Sequence, residues 1–291
     1  MSRWVVLGGS GFVGRAVLAA AAAAGHDARA LPAPRLSAPV GSTPEQLLDL
    51  ARLPAERLAP ALAGSDVVVN AAGLAAPGAA ASPGLTGADA LLPVVVVLAA
   101  RRAGTPRVVH VSSAAVQGER AVLDASDELD PRSPYAAAKA AGERTLALLR
   151  PHTAPRVVVA RATSVQGPDR ATTRRLERLA RSRLSSVAGA GEDPVPVTSA
   201  EGLGAWVVAL GEDPDPPDVA LQPWEGWTTA SLLRALGGHE PRHLPVGLAR
   251  ALVGAGYGVS RVLGGRGRAA VRRVELVWFG QRQEPERPTR T

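Results

Sequence analysis

One tyrosine and one lysine in this chain have the spacing of a proton-transfer pair. Tyr135 is one of only two tyrosines, and Lys139, four residues later, is the single lysine among 33 basic residues. Residues four apart share one face of a helix. An ammonium beside a phenol favours the phenolate and so lowers the phenol pKa from its ordinary value near 10. A guanidinium is larger and its donors are fixed in a plane, so it would reach the phenol and a neighbouring hydroxyl less freely. The pair predicts an acid/base site; a surface tyrosine and lysine at helical spacing is the plain alternative.

The composition is that of a globular protein without thiol chemistry. Of the 291 residues, 46% are hydrophobic and 3% aromatic, so the core must be built from Ala, Val and Leu. The absence of cysteine excludes disulfides, thiolate metal sites and cysteine nucleophiles. We therefore predict a cytoplasmic protein.

The net charge of +7 is concentrated at one end of the chain. Residues 242–291 hold ten Arg and three Glu, so the preceding residues balance at zero. An arginine-rich solvated surface is the favoured interpretation, and peripheral contact with a membrane surface or an anionic ligand stays open. Nucleic-acid binding is not expected, because no aromatic-plus-basic stacking surface is visible.

No membrane span or signal peptide is expected from the sequence. It contains no uncharged apolar stretch of about 18 residues or more. Glycines interrupt the apolar N-terminal region, where a strand–loop–helix pattern accounts for the residues better than a signal peptide does.

Strands alternate with helices through the first half of the chain. Short apolar runs predict strands at 4–7, 27–31, 66–70, 107–112 and 156–161. Between and beyond them, helices are predicted at 14–24, 45–63, 89–103 and 135–149. The pattern indicates an α/β fold, a Rossmann-type doubly wound parallel sheet, over residues 1–167, with a further strand near 219–221. Residues 168–291 are expected to form a smaller, mostly helical substrate-binding lobe, with helices at 172–184, 201–210, 228–237 and 246–263.

A glycine-rich segment, GGSGFVG at 8–14, follows the first predicted strand and opens the first helix. Gly8 permits a tight turn, Gly11 lets the backbone approach a pyrophosphate, and Gly14 allows close packing of helix on strand. The N–H groups at the start of that helix would face the phosphates. The motif in this context predicts dinucleotide binding.

The second strand indicates which dinucleotide. Such sites usually place Asp or Glu there, on the adenosine ribose, but residues 30–35 (ALPAPR) contain no acid. A missing carboxylate and a nearby Arg35 suit a 2′-phosphate. We therefore favour NADP over NAD.

Six motifs together carry a family resemblance. They are GGSGFVG at 8–14, Asp49-Leu50, NAAG at 70–73, VSSAAVQG at 111–118, YAAAK at 135–139 and RATSVQGP at 161–168. In this order and spacing the chain resembles the extended short-chain dehydrogenases/reductases, the NAD-dependent epimerase/dehydratase family, from about residue 3 to 210.

The resemblance implies a role for each motif. Gly8, Gly11 and Gly14, with Phe12 and Val13 between them, would hold the cofactor pyrophosphate. Asp49 and Leu50 would border the adenine, and Ala71, Ala72 and Gly73 would run along the cofactor. Ser113, rather than its neighbour Ser112, would hydrogen-bond the substrate oxygen and Tyr135 would be the acid/base. Lys139 would bind the nicotinamide ribose hydroxyls and lower the Tyr135 pKa.

Departures from the family pattern narrow the reaction. Dehydratases of the family carry an Asp-Glu pair where this chain has Ala114 and Ala115, which argues against dehydration. Asp89 and Ser164 stand where members often have Asn, and the second of these Asn residues often helps hold a nucleotide-sugar. Ser164 and Arg175, the latter in a basic run, are the predicted substrate contacts.

The predicted function is NAD(P)-dependent reduction or epimerisation of a carbonyl or secondary alcohol. A nucleotide-sugar or related metabolite is the favoured substrate, in a 4-ketoreductase or 4-epimerase type of reaction. A steroid- or flavonoid-like carbonyl reductase and a non-catalytic NAD(P)-binding sensor are the alternatives. A homodimer through helices 89–103 and 135–149 is implied by the resemblance. No metal site is expected, since His239 and His243, the one pair with ligand-like spacing, flank Pro241.

Overall fold

The chain forms two compact units. The computed structural model of the protein describes residues 1–74, 80–150, 154–168, 170–264 and 266–284. The first unit comprises residues 1–120, 125–163 and 199–222, and the second comprises residues 121–124, 164–198 and 223–291. The first unit thus takes in 199–222, which the sequence analysis assigned to the C-terminal lobe except for the strand near 219–221.

The described strands and helices alternate through the first half of the chain. The strands are β1 (Arg3–Leu7), β2 (Asp27–Leu31), β3 (Val67–Asn70), β4 (Arg107–Ser113), β5 (Val122–Leu123), β6 (Arg156–Ala162), β7 (Ser164–Gln166), β8 (Ser186–Ala188), β9 (Val197–Ser199), β10 (Val219–Leu221), β11 (Arg242–Leu244) and β12 (Arg282–Gln283). The helices are α1 (Phe12–Ala23), α2 (Pro44–Leu62), α3 (Pro83–Thr86), α4 (Leu92–Ala103), α5 (Pro134–Leu149), α6 (Ala171–Ala180), α7 (Ala200–Glu212), α8 (Thr229–Gly237), α9 (Val246–Val262) and α10 (Arg268–Phe279).

A six-stranded parallel sheet organises the first unit. Its order is β10-β6-β4-β3-β1-β2, and every neighbouring pair is parallel. The central strands β1, β3, β4 and β6 are almost wholly buried, as expected for apolar strands covered on both faces. The predicted Rossmann-type fold is therefore confirmed, and the strand expected near 219–221 is β10, paired with β6.

Two groups of helices flank this sheet. Helices α2, α4 and α5 pack against one another, and α1 packs against α7. Each buries small apolar residues; α1, for example, buries Gly14, Val17 and Ala21. This Ala- and Val-based packing follows from the scarcity of aromatic residues.

The predicted helix at 89–103 begins earlier and contains a π-helical turn. Residues Gly87–Leu91 form that turn between α3 and α4, and the Leu92 N–H donates to the Gly87 carbonyl, five residues back. Pro93 has no N–H to donate to the Asp89 carbonyl, so a regular helical bond is lost at this point. Such π turns often occur at functional sites, and this one carries Asp89.

The α5 backbone lies unusually close to the π turn at Gly142. A Cβ on Gly142 would lie 2.8 Å from the Asp89 carbonyl oxygen and 3.2 Å from Pro93 Cγ. Only a residue without a side chain permits this approach. The contact brings the turn of α5 that contains Lys139 beside Asp89.

The segment Pro83–Ala103 is long and apolar enough to cross a membrane, but 78% of its 18-residue apolar stretch is buried within the protein. Packing against α2 and α5 explains this apolar character. The same packing leaves little of 89–103 exposed for the homodimer contact that the resemblance implies. On 135–149, Leu148 remains 51% exposed.

The second unit consists of short two-stranded sheets and helices. Strand β8 pairs with β11, β7 with β9, and β5 with β12. Helices α6 and α8 pack together, as do α9 and α10. Helix α10 lies in a segment for which the sequence predicted no element.

Substitution of Gly142 tests the close approach of α5 to the π turn. We expect Gly142→Ala to lower the free energy of unfolding by about 1–3 kcal/mol, because the new methyl overlaps the Asp89 carbonyl. Gly84→Ala is the matched control, since a Cβ there meets no atom within 4 Å. Urea denaturation measures both; equal stabilities for the two variants would contradict the packing described.

Candidate functional site

The glycine loop joins β1 to α1 in a tight turn. Gly8 has a φ of 78°, in the left-handed region that glycine favours. A Cβ on Gly8 would lie 2.7 Å from Ala72, and one on Gly14 would lie 2.2 Å from the Gly8 carbonyl oxygen. The loop therefore packs against the segment after β3 and against its own helix, as its glycines predict.

The N-terminus of α1 fits an anionic ligand. Its N-cap is Gly11, no side chain caps it, and its first turn holds no acidic residue. The guanidinium of Arg15 donates to the Ser10 carbonyl at 2.9 Å and adds positive charge beside the loop. Because helix N-termini favour negative charge, Gly11, Phe12 and Val13 fit a pyrophosphate.

The segment after β2, where the resemblance places the adenosine, carries an exposed arginine and no carboxylate. Strand β2 ends at Leu31, whose carbonyl accepts from the Gly8 N–H at 3.3 Å, and no carboxylate follows it up to the exposed Arg35. Asp49 and Leu50 lie on the exposed face of α2, where Asp49 pairs with Arg52 at 3.0 Å. The structure thus places them within one continuous helix.

The segment leaving β3 is held by a buried asparagine. Asn70 is fully buried, and its side-chain oxygen accepts from the Ala72 N–H at 3.3 Å. The Ala71 N–H donates to the Leu7 carbonyl at 3.0 Å. These bonds hold Ala71 to Gly73 beside the glycine loop, where the resemblance places the cofactor.

Two adjacent serines at the end of β4 have different environments. Ser112 is buried and its hydroxyl donates to Glu143 Oε1 at 2.5 Å. Ser113 is half-buried, and its hydroxyl accepts from the Ala115 N–H at 3.2 Å. Ser112 is thus committed to a structural contact, whereas the Ser113 hydroxyl donates to none of the described residues.

Tyr135 and Lys139 occupy the first turns of α5. Ser133 caps the helix by accepting from the Ala136 N–H at 3.1 Å, and Pro134 takes the first helical position. Tyr135 is half-buried, whereas Lys139 is 4% exposed. The Lys139 ammonium donates to the Val111 carbonyl at 3.1 Å.

A buried carboxylate faces this lysine. Lys139 Nζ lies 3.3 Å from Asp89 Oδ1, and Asp89 is completely buried. A Cβ on Gly73 would meet Asp89 Oδ1 at 2.6 Å and Lys139 Nζ at 3.4 Å. The ion pair therefore lies directly beneath Gly73.

Burial and charge oppose each other in this pair. Burial acts to lower the pKa of Lys139, but the nearby Tyr135, Asp89 and Glu143 outweigh it and raise that pKa. Burial raises the pKa of Asp89, against the opposing effects of Lys139 and the Leu74 backbone. The lysine therefore stays positively charged although it is buried. Its charge can then orient the polar groups around it.

A second buried ion pair fixes α5 to the sheet. Arg161 on β6 donates to Glu143 Oε2 at 3.1 and 2.7 Å, and both residues are at least 97% buried. Arg161 also donates to the Ser126 carbonyl at 2.6 Å. Glu143 thus binds β4 through Ser112 and β6 through Arg161, one turn after Lys139.

His110 lies buried beside these charges. It is 1% exposed and its Nδ1 accepts from the Asn70 amide at 3.2 Å. Burial, and then the charge of Lys139, hold its pKa well below the ordinary value. The ring is neutral at physiological pH and contributes no further positive charge.

The predicted substrate contacts belong to the second unit. Ser164 on β7 is exposed, and its hydroxyl accepts from the Gln166 amide at 2.8 Å. Arg175 is exposed on α6. Among the described residues no group of three or more His, Asp or Glu could hold a metal ion.

Sequence reasoning found the motif residues and missed their buried partners. Asp89 was noted only as a departure from a family asparagine, and Glu143 and Arg161 were given no role. A lone Asp, Glu or Arg carries no local pattern, so these contacts exist only in the fold. The one available signal was that Glu143 follows Lys139 by four residues on the same helix face.

Comparison with known proteins identifies the family. The model of the NAD-dependent epimerase/dehydratase family matches residues 4–203, more than half of the chain. The chain belongs to this family. It is an NAD(P)-dependent enzyme of the short-chain dehydrogenase/reductase type. No curated protein matches the sequence significantly.

Solved structures share the fold at low identity. UDP-glucuronic acid 4-epimerase from Bacillus cereus, in complex with NAD, is 18% identical with a TM-score of 0.60, over 84% of this chain and 87% of that one. dTDP-4-dehydrorhamnose reductase from Bacillus anthracis, in complex with NADP, is 16% identical with a TM-score of 0.58, over 84% of each chain. An NAD-dependent NDP-hexosamine 5,6-dehydratase is 22% identical with a TM-score of 0.56, over 84% of each chain.

The ion pair beneath Gly73 makes a direct prediction for the lysine. We expect Asp89→Asn to lower the pKa of Lys139, because a charge that raises it is lost while burial, which lowers it, remains. Since Lys139 is the single lysine, ¹³Cε-lysine labelling gives one side-chain resonance to titrate by NMR. Asp49→Asn, which removes an exposed carboxylate, is the control. An unchanged Lys139 pKa in Asp89→Asn would show that the pair does not form.

His110 predicts a loss of stability at acid pH. Its pKa is lower in the folded than in the unfolded chain, so below about pH 6.5 the unfolded chain binds the extra proton. Stability from this residue is therefore present above that pH and is lost as the pH falls, by up to about 1.4 kcal/mol per pH unit.

Thermal unfolding of His110→Gln between pH 7.5 and 5 tests the point, since glutamine can accept from Asn70 but does not titrate. We expect a shallower loss of stability than in the wild type. Parallel curves for the two proteins would contradict a neutral buried His110.

Proposed function

We propose that this enzyme interconverts a carbonyl and a secondary alcohol on a nucleotide-sugar or related hydroxylated metabolite, as a 4-ketoreductase or 4-epimerase. The observation that carries the proposal is the buried Lys139, held by Asp89 and the Val111 carbonyl under Gly73 and next to Tyr135. Because Lys139 is buried, its charge acts on neighbouring groups of the protein and not on solvent.

The residues of the site divide the steps of this reaction among them. The nicotinamide cofactor, when bound, supplies or accepts the hydride. Ser113 donates a hydrogen bond to the reacting oxygen, and Tyr135 gives that oxygen a proton in reduction or takes it in oxidation. Lys139 stabilises the tyrosine's negative charge and binds the cofactor ribose hydroxyls.

The neighbouring positions favour redox chemistry without loss of water. Ala114 and Ala115, after Ser113, have no group to move the protons that dehydration requires. Ala114 is buried and Ala115 exposed, at the start of a 3-10 turn, Ala114–Gln117. The Ser112 hydroxyl donates to Glu143, whereas the Ser113 hydroxyl only accepts a hydrogen bond and can still donate one. This difference favours a catalytic enzyme over a sensor, because a sensor would need no serine that is free to donate to a substrate.

NADP is the proposed cofactor within the NAD(P) class. The support is the absence of a carboxylate after β2 and the exposed Arg35 in the loop that follows. The substrate class is supported by the solved neighbours, which act on nucleotide-sugars. A reductase for apolar carbonyl compounds is the alternative, and a substrate panel separates the two.

Tyrosine substitution tests the acid/base assignment. Tyr135→Phe is expected to lower turnover by about 10²–10⁴-fold, the usual contribution of a positioned acid/base, while NAD(P)H binding is kept. Tyr257→Phe removes the other tyrosine, which donates to Glu275 in the second unit, and should keep full activity. With 4-keto and 4-hydroxyl nucleotide-sugars, nicotinamide absorbance measures net reduction or oxidation, and chromatographic separation of the C4 epimers measures epimerisation. Undiminished turnover in Tyr135→Phe would refute the assignment.

Arginine substitution tests the cofactor preference. Arg35→Ala is expected to weaken NADPH binding by roughly ten- to a hundredfold and leave NADH binding unchanged, because a charge-assisted contact to the 2′-phosphate is lost. Arg52→Ala, an exposed arginine paired with Asp49, is the control. Calorimetric titration supplies the affinities; equal weakening for both cofactors would argue against the 2′-phosphate contact.

A further inference from the structure

Helix α9 carries an apolar stripe that the protein does not cover. Leu248 and Leu252 are each 50% exposed, Val259 is 59% exposed and Val262 is 87% exposed. At 100° per residue these four fall within roughly 80° of the helix circumference. The buried residues of α9, which are Ala249, Val253 and Ser260, lie to one side of this arc. The stripe is therefore additional to the face that packs in the protein.

The remaining faces of α9 and α10 are rich in arginine. Arg250 and Arg261 fall on the opposite side of α9, and the following turn and α10 add Arg266, Arg268 and Arg273. In the part of the chain that the structure describes, no carboxylate forms an ion pair with Arg250, Arg261, Arg266 or Arg273.

The one acid of the α9–α10 pair is already engaged. Glu275 accepts from the Tyr257 hydroxyl at 2.6 Å and from Arg272 at 2.7 Å. Its side chain is 27% exposed, and that of Arg272 is 20% exposed. The two helices are thus apolar on one side of α9 and cationic on their other faces, and their one carboxylate is already paired.

We propose that α9 and α10 dock on an anionic membrane surface, with the stripe inserted at the headgroup–acyl boundary. A helix with an apolar face and an arginine-rich polar face suits that position, because burial and attraction to anionic lipid act together. Pairing with a second copy is disfavoured, since it would bring together two helix pairs that each carry a net positive charge. Nucleic acid would leave the stripe exposed. The proposal is independent of the reaction, since no residue of the catalytic site takes part.

Vesicle co-sedimentation tests the proposal with the full chain. We expect binding to phosphatidylcholine vesicles that contain about one-third phosphatidylglycerol, weak binding to pure phosphatidylcholine, and a loss of affinity with rising salt. Leu252→Ser/Val262→Ser should reduce the affinity by roughly tenfold or more, because two inserted side chains are lost. Arg266→Gln/Arg273→Gln should reduce both the affinity and its salt dependence.

The control is Leu53→Ser/Leu184→Ser, which removes two exposed leucines outside α9, 54% and 76% exposed. It should bind as the wild type does, and thermal melting confirms that all variants are folded. Equal binding to both kinds of vesicle, or wild-type binding by the stripe variant, would overturn the proposal. So would a homodimer in sedimentation velocity that dissociates in the stripe variant while vesicles are not bound, since the stripe would then be a subunit interface.

Discussion

The first unit depends on a lysine kept charged inside the protein. An ammonium that is 4% exposed is stable only if opposite charge or carbonyl oxygen surrounds it. Asp89 at 3.3 Å and the Val111 carbonyl at 3.1 Å meet that need, from a π turn and a sheet strand respectively. Removing either partner of such a pair leaves an uncompensated buried charge, which costs several kcal/mol. The pair thus links helix packing to chemistry.

The surrounding packing follows from this constraint. Gly142 lets α5 approach the Asp89 backbone, and Gly73 leaves room above the two charges. Glu143, one turn after Lys139, is paired with Arg161, and Asp89 is the carboxylate that pairs with the lysine. His110, neutral because it is buried, adds no repulsion. Each of these residues serves to hold one cation in one place.

The parts that sequence reasoning predicted are those with a local pattern. The strand–glycine loop–helix at 8–14 and the Tyr135–Lys139 spacing are short-range features, and the apolar strands follow from runs of valine. The partners of the charged residues on α5 could not be predicted in this way, because Asp89 and Arg161 are distant from α5 in sequence and contact it only in the fold. The π turn depends on Pro93 within a longer helix. Residues 200–212 join the first unit because they pack on α1, which no composition signal reports.

The measurement that tests the account most directly is the response of Lys139 to cofactor. Protein labelled with ¹³Cε-lysine has one side-chain resonance, and the account predicts that it shifts and saturates as NADP⁺ or NAD⁺ is added. Calorimetry on the same sample shows when the site is full. A lysine resonance that stays in place while cofactor binds would mean that the buried Lys139–Asp89 pair lies outside the cofactor site, and the proposed chemistry would fail with it.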